Sequence, residues 1–369
     1  MRRWKIVHTE ASEGWGGQEI RVLAEAMWFR EHGHTVFLVA PSHSQIFARA
    51  RAERFEVFPI GFQKRDQIAD VTQLARVFLQ TRPDIVCTHS SVDSWVGLSA
   101  AMVARSPLRV RYRHVSTPIA KNPQNMLLYR YMTHLTITTS SRIAEEIKSR
   151  FQLPIDRVCN VPTGIQPPQS LLDRETARRN LALELNLPQH TRFIGQVSVL
   201  RSWKGHRLLM SAFDRLAENF PNLHLVLVGT GPGEPHLKRD REMLACKDRI
   251  HLLGHRDAPW NYFRAMDLCI LASTSGEGVP QSILQAMAAG TPVIATRVGG
   301  IPEALNQGMY GELIPPHSVE ALIAAIEKCL RHYDACIARA EKAELFVKTH
   351  HTIDQMGNKI LQLFNYHLS

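Results

Sequence analysis

The chain has 369 residues, 44% of them hydrophobic, which suggests about two globular domains. No apolar run approaches the ~20 residues of a membrane-spanning helix. The net charge is +10 and uneven: residues 1–165 carry 22 Lys/Arg against 14 Asp/Glu, a balance open to anionic lipid, an acidic acceptor, nucleic acid or simply a soluble basic surface.

Met1-Arg2-Arg3-Trp4 enters a strand directly, with no signal-peptide core behind it. Short apolar runs then alternate with helical patterns. Strands are expected at Lys5–His8, Thr35–Ala40, Phe55–Pro59, Asp84–Thr88, Arg109–His114 and Leu135–Thr138. Helices are expected at Gly17–Glu31, Ile68–Gln80, Trp95–Ala104 and Ser141–Phe151. This βα alternation calls for a parallel sheet covered on both faces. Arg105, Arg109, Arg111 and Arg113 concentrate charge without an aromatic stacking pattern, so nucleic acid is the weakest of the three anionic partners. Phe151 to Gln169, with Pro154, Pro162, Pro167 and Pro168, reads as the end of one domain and a linker. The expected domains are therefore 1–165 and 166–350.

The second half repeats the rhythm. Strands are expected at Phe193–Val199, Leu223–Val228, Ile250–Leu253, Leu268–Ala272 and Pro292–Thr296. Helices are expected at Gly205–Asn219, Ala258–Ala265 and Ser318–His332, with a further helical stretch beyond. The fold class is α/β, two doubly wound Rossmann-like domains facing each other across a cleft, with ligands at the carboxyl ends of strands. The six scattered cysteines form no C-x-x-C pair, which points to reduced thiols in a cytoplasmic protein.

The richest segment is Ser273 to Gly290. Glu277 sits in a glycine-flanked loop before a helix expected over Gln281–Ala289. Pro280 suits the first helical position, and Gly290 stops the helix. The free N–H groups of Gln281, Ser282 and Ile283 carry the positive end of the helix dipole, a seat for phosphate. A carboxylate for hydroxyls beside an anion site suits a sugar joined to a nucleotide diphosphate. Arg201 and Lys204, in Arg201-Ser202-Trp203-Lys204-Gly205-His206, put two cations at another strand's carboxyl end, able to hold a diphosphate; without that neighbouring site they read as solvated surface charges. Glu13 to Glu19, containing Gly16 and Gly17, follows the first strand. It is neither a G-x-G-x-x-G fingerprint nor a P-loop, and alone it only weakly favours a ligand site over a tight strand-to-helix turn. His89 and His114 each end a first-domain strand, where an imidazole can touch a hydroxyl or move a proton. Gly229 to Gly233 reads as a strand-ending turn more than a phosphate cradle. No D-x-D pair is present, and His350-His351 lacks partners at metal spacing.

Taken together, these residues resemble a glycosyltransferase of family 4 with the GT-B architecture. The resemblance spans nearly the whole chain: Gly16-Gly17, Val161-Pro162-Thr163-Gly164-Ile165, Lys204-Gly205, Glu277-Gly278-Val279-Pro280, Ala286 to Ala295 and Val298-Gly299-Gly300. It implies retaining transfer of a sugar from a UDP- or GDP-type nucleotide-sugar to an acceptor hydroxyl, without a metal. The N-terminal domain would bind a glycan or glycolipid acceptor, with His89 and His114 on that side. The C-terminal domain would bind the donor, and the final helix, Ile353–Tyr366 within residues 351–369, would cross back onto the N-terminal domain. By motif position Lys204 and a neighbouring arginine hold the diphosphate, Glu277 binds sugar hydroxyls, and Gly278, Val279, Gln281 and Ser282 lie along the donor. His114 lies by the reacting centre. Two positions depart from the family pattern. Gln285 stands where a glutamate binds ribose hydroxyls, and Val199 stands where an arginine precedes the lysine by five residues, leaving Arg201 as the nearby cation. A nucleotide-sugar epimerase, a sugar phosphorylase or a non-catalytic nucleotide-sugar-binding protein are the rival readings. The basic first half would suit a lipopolysaccharide or polysaccharide precursor at the inner face of a membrane.

Overall fold

The computed structural model describes residues 2–63 and 65–369. Two compact units emerge: residues up to Gly164 together with Ile353–Ser369, and Ile165–Thr352.

The first unit is built on a seven-stranded, wholly parallel sheet. Its strands are β1 (Lys5–Thr9), β2 (Thr35–Ala40), β3 (Glu56–Pro59), β4 (Ile85–Thr88), β5 (Leu108–Arg113), β6 (Leu135–Thr138) and β7 (Val158–Asn160). Their order is β3-β2-β1-β4-β5-β6-β7. Both faces are covered, so successive strand residues divide between two cores. Ile6, Leu38 and Cys87 join Trp28, Phe29 and Phe364 on one side. Val7, Val39 and Val86 join Phe78 and Val96 on the other. The terminal helix, Ile353–Leu368, lies against the Gly17–Glu31 helix. Phe364 stacks on Phe29 at 5.7 Å, and Trp28 Nε1 donates to Asp354 Oδ1 at 2.8 Å. Gly357 permits the approach, since a Cβ there would stand 2.2 Å from the Trp28 ring.

The proline-rich stretch after Phe151 is not all linker: Val158–Asn160 adds the seventh strand, pairing with β6. Three residues between prolines carry too little pattern to announce a strand. The Ser91–Val103 helix begins four residues ahead of the expected start, because Asp93 accepts from the Ser90 N–H at 2.7 Å and caps it. The helix Gln45–Ala52 was not foreseen; it buries only Ile46 and Ala50. The arginines along β5 are not an open basic patch. Arg111 is buried beside the Tyr129 ring, Arg109 Nε donates to the Met132 carbonyl at 2.7 Å, and Arg113 donates to the Thr117 carbonyl at 2.6 Å.

The second unit has a six-stranded parallel sheet, ordered β10-β9-β8-β11-β12-β13. Its strands are β8 (Arg192–Val197), β9 (Leu223–Val228), β10 (Ile250–Gly254), β11 (Leu268–Leu271), β12 (Val293–Thr296) and β13 (Glu312–Ile314). β8 lies between β9 and β11, so the chain's course across the sheet reverses there. Loops leaving the carboxyl ends of β8 and β11 meet at that switch point. The unforeseen helices Arg174–Glu184 and Glu234–Glu242 are strongly polar; the second buries only Leu237. All six cysteines are free thiols. Among the described residues, no helix is long and apolar enough to cross a membrane.

Candidate active site

The loop after β8 ends in a single 3-10 turn, Ser202–Lys204, followed by Gly205 at φ +74°. Only glycine fits here. A Cβ on Gly205 would stand 1.9 Å from the Ala272 carbonyl oxygen, at the end of β11. The Thr274 N–H donates to the Trp203 carbonyl at 2.7 Å, tying the two loops together. Beneath them, buried Gln196 donates through Nε2 to the Lys204 carbonyl at 2.8 Å and to Ser198 Oγ at 3.0 Å. The Lys204 carbonyl is thus held from below and the adjacent Trp203 carbonyl from the neighbouring loop.

This scaffold aims Lys204 at Glu277. The ammonium stands 2.7 Å from Oε1 and 3.0 Å from Oε2, and Ser273 Oγ donates to Oε1 at 2.5 Å. Glu277 is only 5% exposed. Its carbonyl accepts from the Gly300 N–H at 3.2 Å, while Thr296 Oγ1 donates to the Ser273 carbonyl at 2.5 Å. Gly299-Gly300 and Thr296 therefore shape the Glu277 loop. An ammonium has three N–H donors and two serve the carboxylate, so one remains. Glu277 Oε2 likewise keeps acceptor capacity for a hydroxyl.

The helix that follows runs Gln281–Ala288. Pro280 is its N-cap, at φ −70° and ψ 124°, and not its first helical residue. Consequently the Ile283 N–H bends back to the Pro280 carbonyl at 3.1 Å, and Ile283 is not the free donor expected of it. The amides of Gln281 and Ser282 have no acceptor among the described residues. Gly278 and Val279 are buried in the turn leading in, and Ser282 is half-buried. Gln285, one helical turn on from Gln281, is also half-buried. Arg201 is exposed, its guanidinium 5.1 Å from the Trp203 ring centroid. Gly229 and Gly231 pack against the backbone of Ser198 and Leu200, and Leu200 N–H donates to the Thr230 carbonyl at 3.0 Å. That is the turn expected of them, supporting the Lys204 loop from behind.

Gly16 and Gly17 belong to the first unit. Gly16 N-caps the helix in extended conformation, and its N–H donates to Glu19 Oε2 at 2.8 Å. Buried Glu10 accepts from the Ser12 N–H at 2.9 Å and from Gln18 Nε2 at 2.6 Å. Burial, with Asp93 and Glu19 nearby, pushes the Glu10 carboxyl well above its ordinary range. Carboxylates already serve this turn's donors, which favours the tight-turn account of the two glycines.

His89 and His114 are brought together, with a third ring that sequence reasoning did not single out. His8 Nδ1 lies 3.0 Å from His89 Nε2, and His89 Nδ1 lies 3.0 Å from His114 Nε2. The Tyr112 ring packs 4.4 Å from His89. Burial holds all three imidazoles neutral: it pushes His8 down to about 3 and the other two well below their usual value. Asp93 fixes the loop, accepting the His89 N–H at 2.8 Å and the Thr9 hydroxyl at 2.7 Å. The available signal for His8 was its place on the strand between β2 and β4, but that order is not written in the chain. Among the described residues, no three His, Cys, Asp or Glu side chains gather as a metal site.

Known proteins match both units. Residues 15–168 fit the model of Glycosyltransferase Family 4, and residues 177–346 that of Glycosyl transferases group 1. A D-inositol 3-phosphate glycosyltransferase of Corynebacterium glutamicum (strain R) is 29% identical over 224 residues, 58% of this chain and 53% of that one. The chain spans about half the length of the curated relatives it matches. A glycosyltransferase from Rickettsia africae superposes with a TM-score of 0.86 at 20% identity, covering 100% of both chains. Anabaena Alr3699/HepE, solved with UDP-glucose, gives 0.83 at 19% identity, covering 99% of this chain and 100% of that one. With two parallel-sheet α/β units and both halves matched, the chain belongs to the group 1 glycosyltransferases of family 4 and has the GT-B fold.

Proposed function

We propose that this protein is a retaining glycosyltransferase that moves a sugar from a nucleotide-diphosphate sugar of UDP or GDP type to an acceptor hydroxyl. The Ile165–Thr352 unit takes the donor and the first unit takes the acceptor. The observation that carries this reading is the pairing of Lys204 with buried Glu277 beside the unpartnered Gln281 and Ser282 amides. As the glycosidic bond breaks, the nucleotide diphosphate gains negative charge. The third Lys204 donor and the helix N-terminus are the groups suited to that charge. Glu277 accepts from sugar hydroxyls with the capacity Lys204 and Ser273 leave to it. Gln285 replaces a charged ribose ligand with a neutral one that both donates and accepts. His89 and His114 serve the acceptor side, with His114 by the reacting centre, and Arg201, on the Lys204 loop, is a further cation for the diphosphate. The acceptor we favour is a glycolipid or polysaccharide precursor of the cell envelope, met at an anionic membrane surface, because the first unit holds most of the net positive charge.

A thermal-shift panel of nucleotide diphosphates and their sugars tests the donor assignment. A ligand at 100 times its Kd adds about 2.7 kcal/mol to the folded state. Selective stabilisation by one nucleotide class supports the reading, and no shift with any of them removes it. Incubation with the stabilising donor alone separates transfer from epimerisation, since an epimerase alters the donor without an acceptor.

A further inference from the structure

His8 lies in β1, His89 one residue past β4 and His114 one residue past β5. These are three adjacent strands of the sheet. The rings meet edge to edge: both N···N distances are 3.0 Å, and the planes differ by 20° and 24°. A neutral imidazole has one N–H and one bare nitrogen. Each junction needs one of each, so the three tautomers are coupled. Either every ring carries its proton on Nδ1 and donates toward His114, or every ring carries it on Nε2 and donates toward His8.

The buried end decides between them. His8 Nε2 is buried and has no hydrogen-bond partner. In the Nε2–H arrangement an N–H would be stranded in the interior; in the Nδ1–H arrangement only a bare nitrogen is. A stranded N–H is the rarer and costlier defect. A proton wire needs two open ends, and His8 closes one of them. Asp93 meets His89 through the backbone N–H, and the cations acting on the rings are Arg21, on His89 and His114, and Arg113, on His114. Both disfavour a protonated ring.

We propose that His8 and His89 are positioning residues that lock His114 in its Nδ1–H tautomer, so that the one nitrogen His114 can offer a bound sugar is a hydrogen-bond donor and not a base. The reference to sugar rests on the glycosyl-transfer reading above; the tautomer lock does not. Nε2 of His114 is occupied by His89, and His114 is the partly exposed member of the three.

The test uses the full chain with nitrogen-labelled histidine and two-bond nitrogen–proton correlation spectra, without ligand. The three resonances are assigned by replacing each ring in turn. At neutral pH all three rings should show a protonated Nδ1 and a bare Nε2. In His89→Phe, which keeps a ring beside Tyr112, His114 should become a mixture of tautomers. His8→Phe should loosen the preference of both remaining rings. In transfer assays His89→Phe should lower kcat about tenfold, with donor KM changed less than about twofold, the scale of one neutral hydrogen bond. A protonated Nε2 on wild-type His114, or a His114 tautomer untouched in both variants, overturns the proposal. If the spectra agree while the wild-type chain transfers no sugar, the lock stands and the glycosyl-transfer reading fails.

Discussion

Lys204 links two roles that point mutations can separate. Its ammonium neutralises a carboxylate that is almost wholly buried, and it keeps one further N–H donor, which we assign to a phosphate. Lys204→Ala leaves Glu277 without its cation. Removing one partner of a fully buried pair costs about 3–5 kcal/mol, and Lys204 is partly exposed, so about 2 kcal/mol is expected here. Turnover should fall much further, by ~10²–10³, if Lys204 stabilises the leaving group. Combining Lys204→Met with Glu277→Gln should return most of the stability, read by urea unfolding, and none of the turnover. Near-normal kcat in Lys204→Ala would end the assignment. Gln285→Ala should raise donor KM severalfold with kcat little changed, and an unchanged KM would take Gln285 out of the site. His206, below the same loop, gives a pH test. Its Nε2 lies 2.9 Å from Ser198 Oγ, and burial, then the Lys204 charge, push it down to about 4. Unfolded, it titrates near ~6.5. Between those values the unfolded chain binds a proton that the folded chain does not. The contribution is thus complete above about 6.5 and is lost as pH falls toward about 4. From pH ~6.5 to ~5, wild type should lose about 2 kcal/mol more than His206→Gln; equal losses would show that His206 is not held neutral. Lys204 and Glu277 were legible because a local motif announces each. Gln196 and His8 were not, because their partners are set by strand order and loop packing.

Among the elements, the terminal helix depends on a glycine that propensity alone would disfavour. Gly357 stands mid-helix, where glycine costs up to about 1 kcal/mol relative to alanine. Alanine should nonetheless destabilise, because its Cβ would overlap the Trp28 ring. That indole is held by Asp354 on one edge and by His32 stacked at 3.8 Å, so it has little room to yield. Overpacking of this kind costs about 1–3 kcal/mol. Gly357→Ala should lower Tm, and Trp28→Leu in the same chain should relieve part of the added loss. A Tm raised by the alanine would show that helix propensity outweighs the contact. The same competition governs what could be read beforehand. Central strands such as β1, β4 and β9 were plain because both of their faces are buried and the apolar run is continuous. β7 and β13 have three residues each, below any useful period. The helix Arg174–Glu184 buries only Ala177, Leu181 and Ala182, and Glu234–Glu242 only Leu237, too few to set an apolar period among the charges, although Asp173 accepting from the Thr176 N–H at 2.9 Å marks the first one's start.

Across the whole molecule the charge is lopsided, and the structure changes where that charge can act. Arg109, Arg111 and Arg113 are committed to carbonyls and to the Tyr129 ring, so they contribute field but no exposed patch. The segment just beyond them is different. The short helix Pro123–Met126 runs into a π-helical turn, Leu127–Met132, that buries Leu128, Tyr129 and Met132 and leaves Leu127 48% and Tyr131 66% exposed. Lys121 is exposed nearby, and Arg130 is half-exposed. Apolar side chains flanked by cations are what an anionic lipid surface holds, each basic residue near the surface adding about 1 kcal/mol. The protein should therefore co-sediment with vesicles containing anionic lipid at low salt and not with neutral vesicles. Binding should fall steeply in high salt, where the screening length shrinks from about 10 Å at ~0.1 M to about 3 Å at ~1 M. Leu127→Asp with Tyr131→Asp should weaken low-salt binding at least about tenfold while leaving nucleotide-induced thermal stabilisation intact, since donor binding is assigned to the other unit. Salt-independent binding would replace the electrostatic account with a hydrophobic one. No binding under either condition would favour an acceptor met in solution.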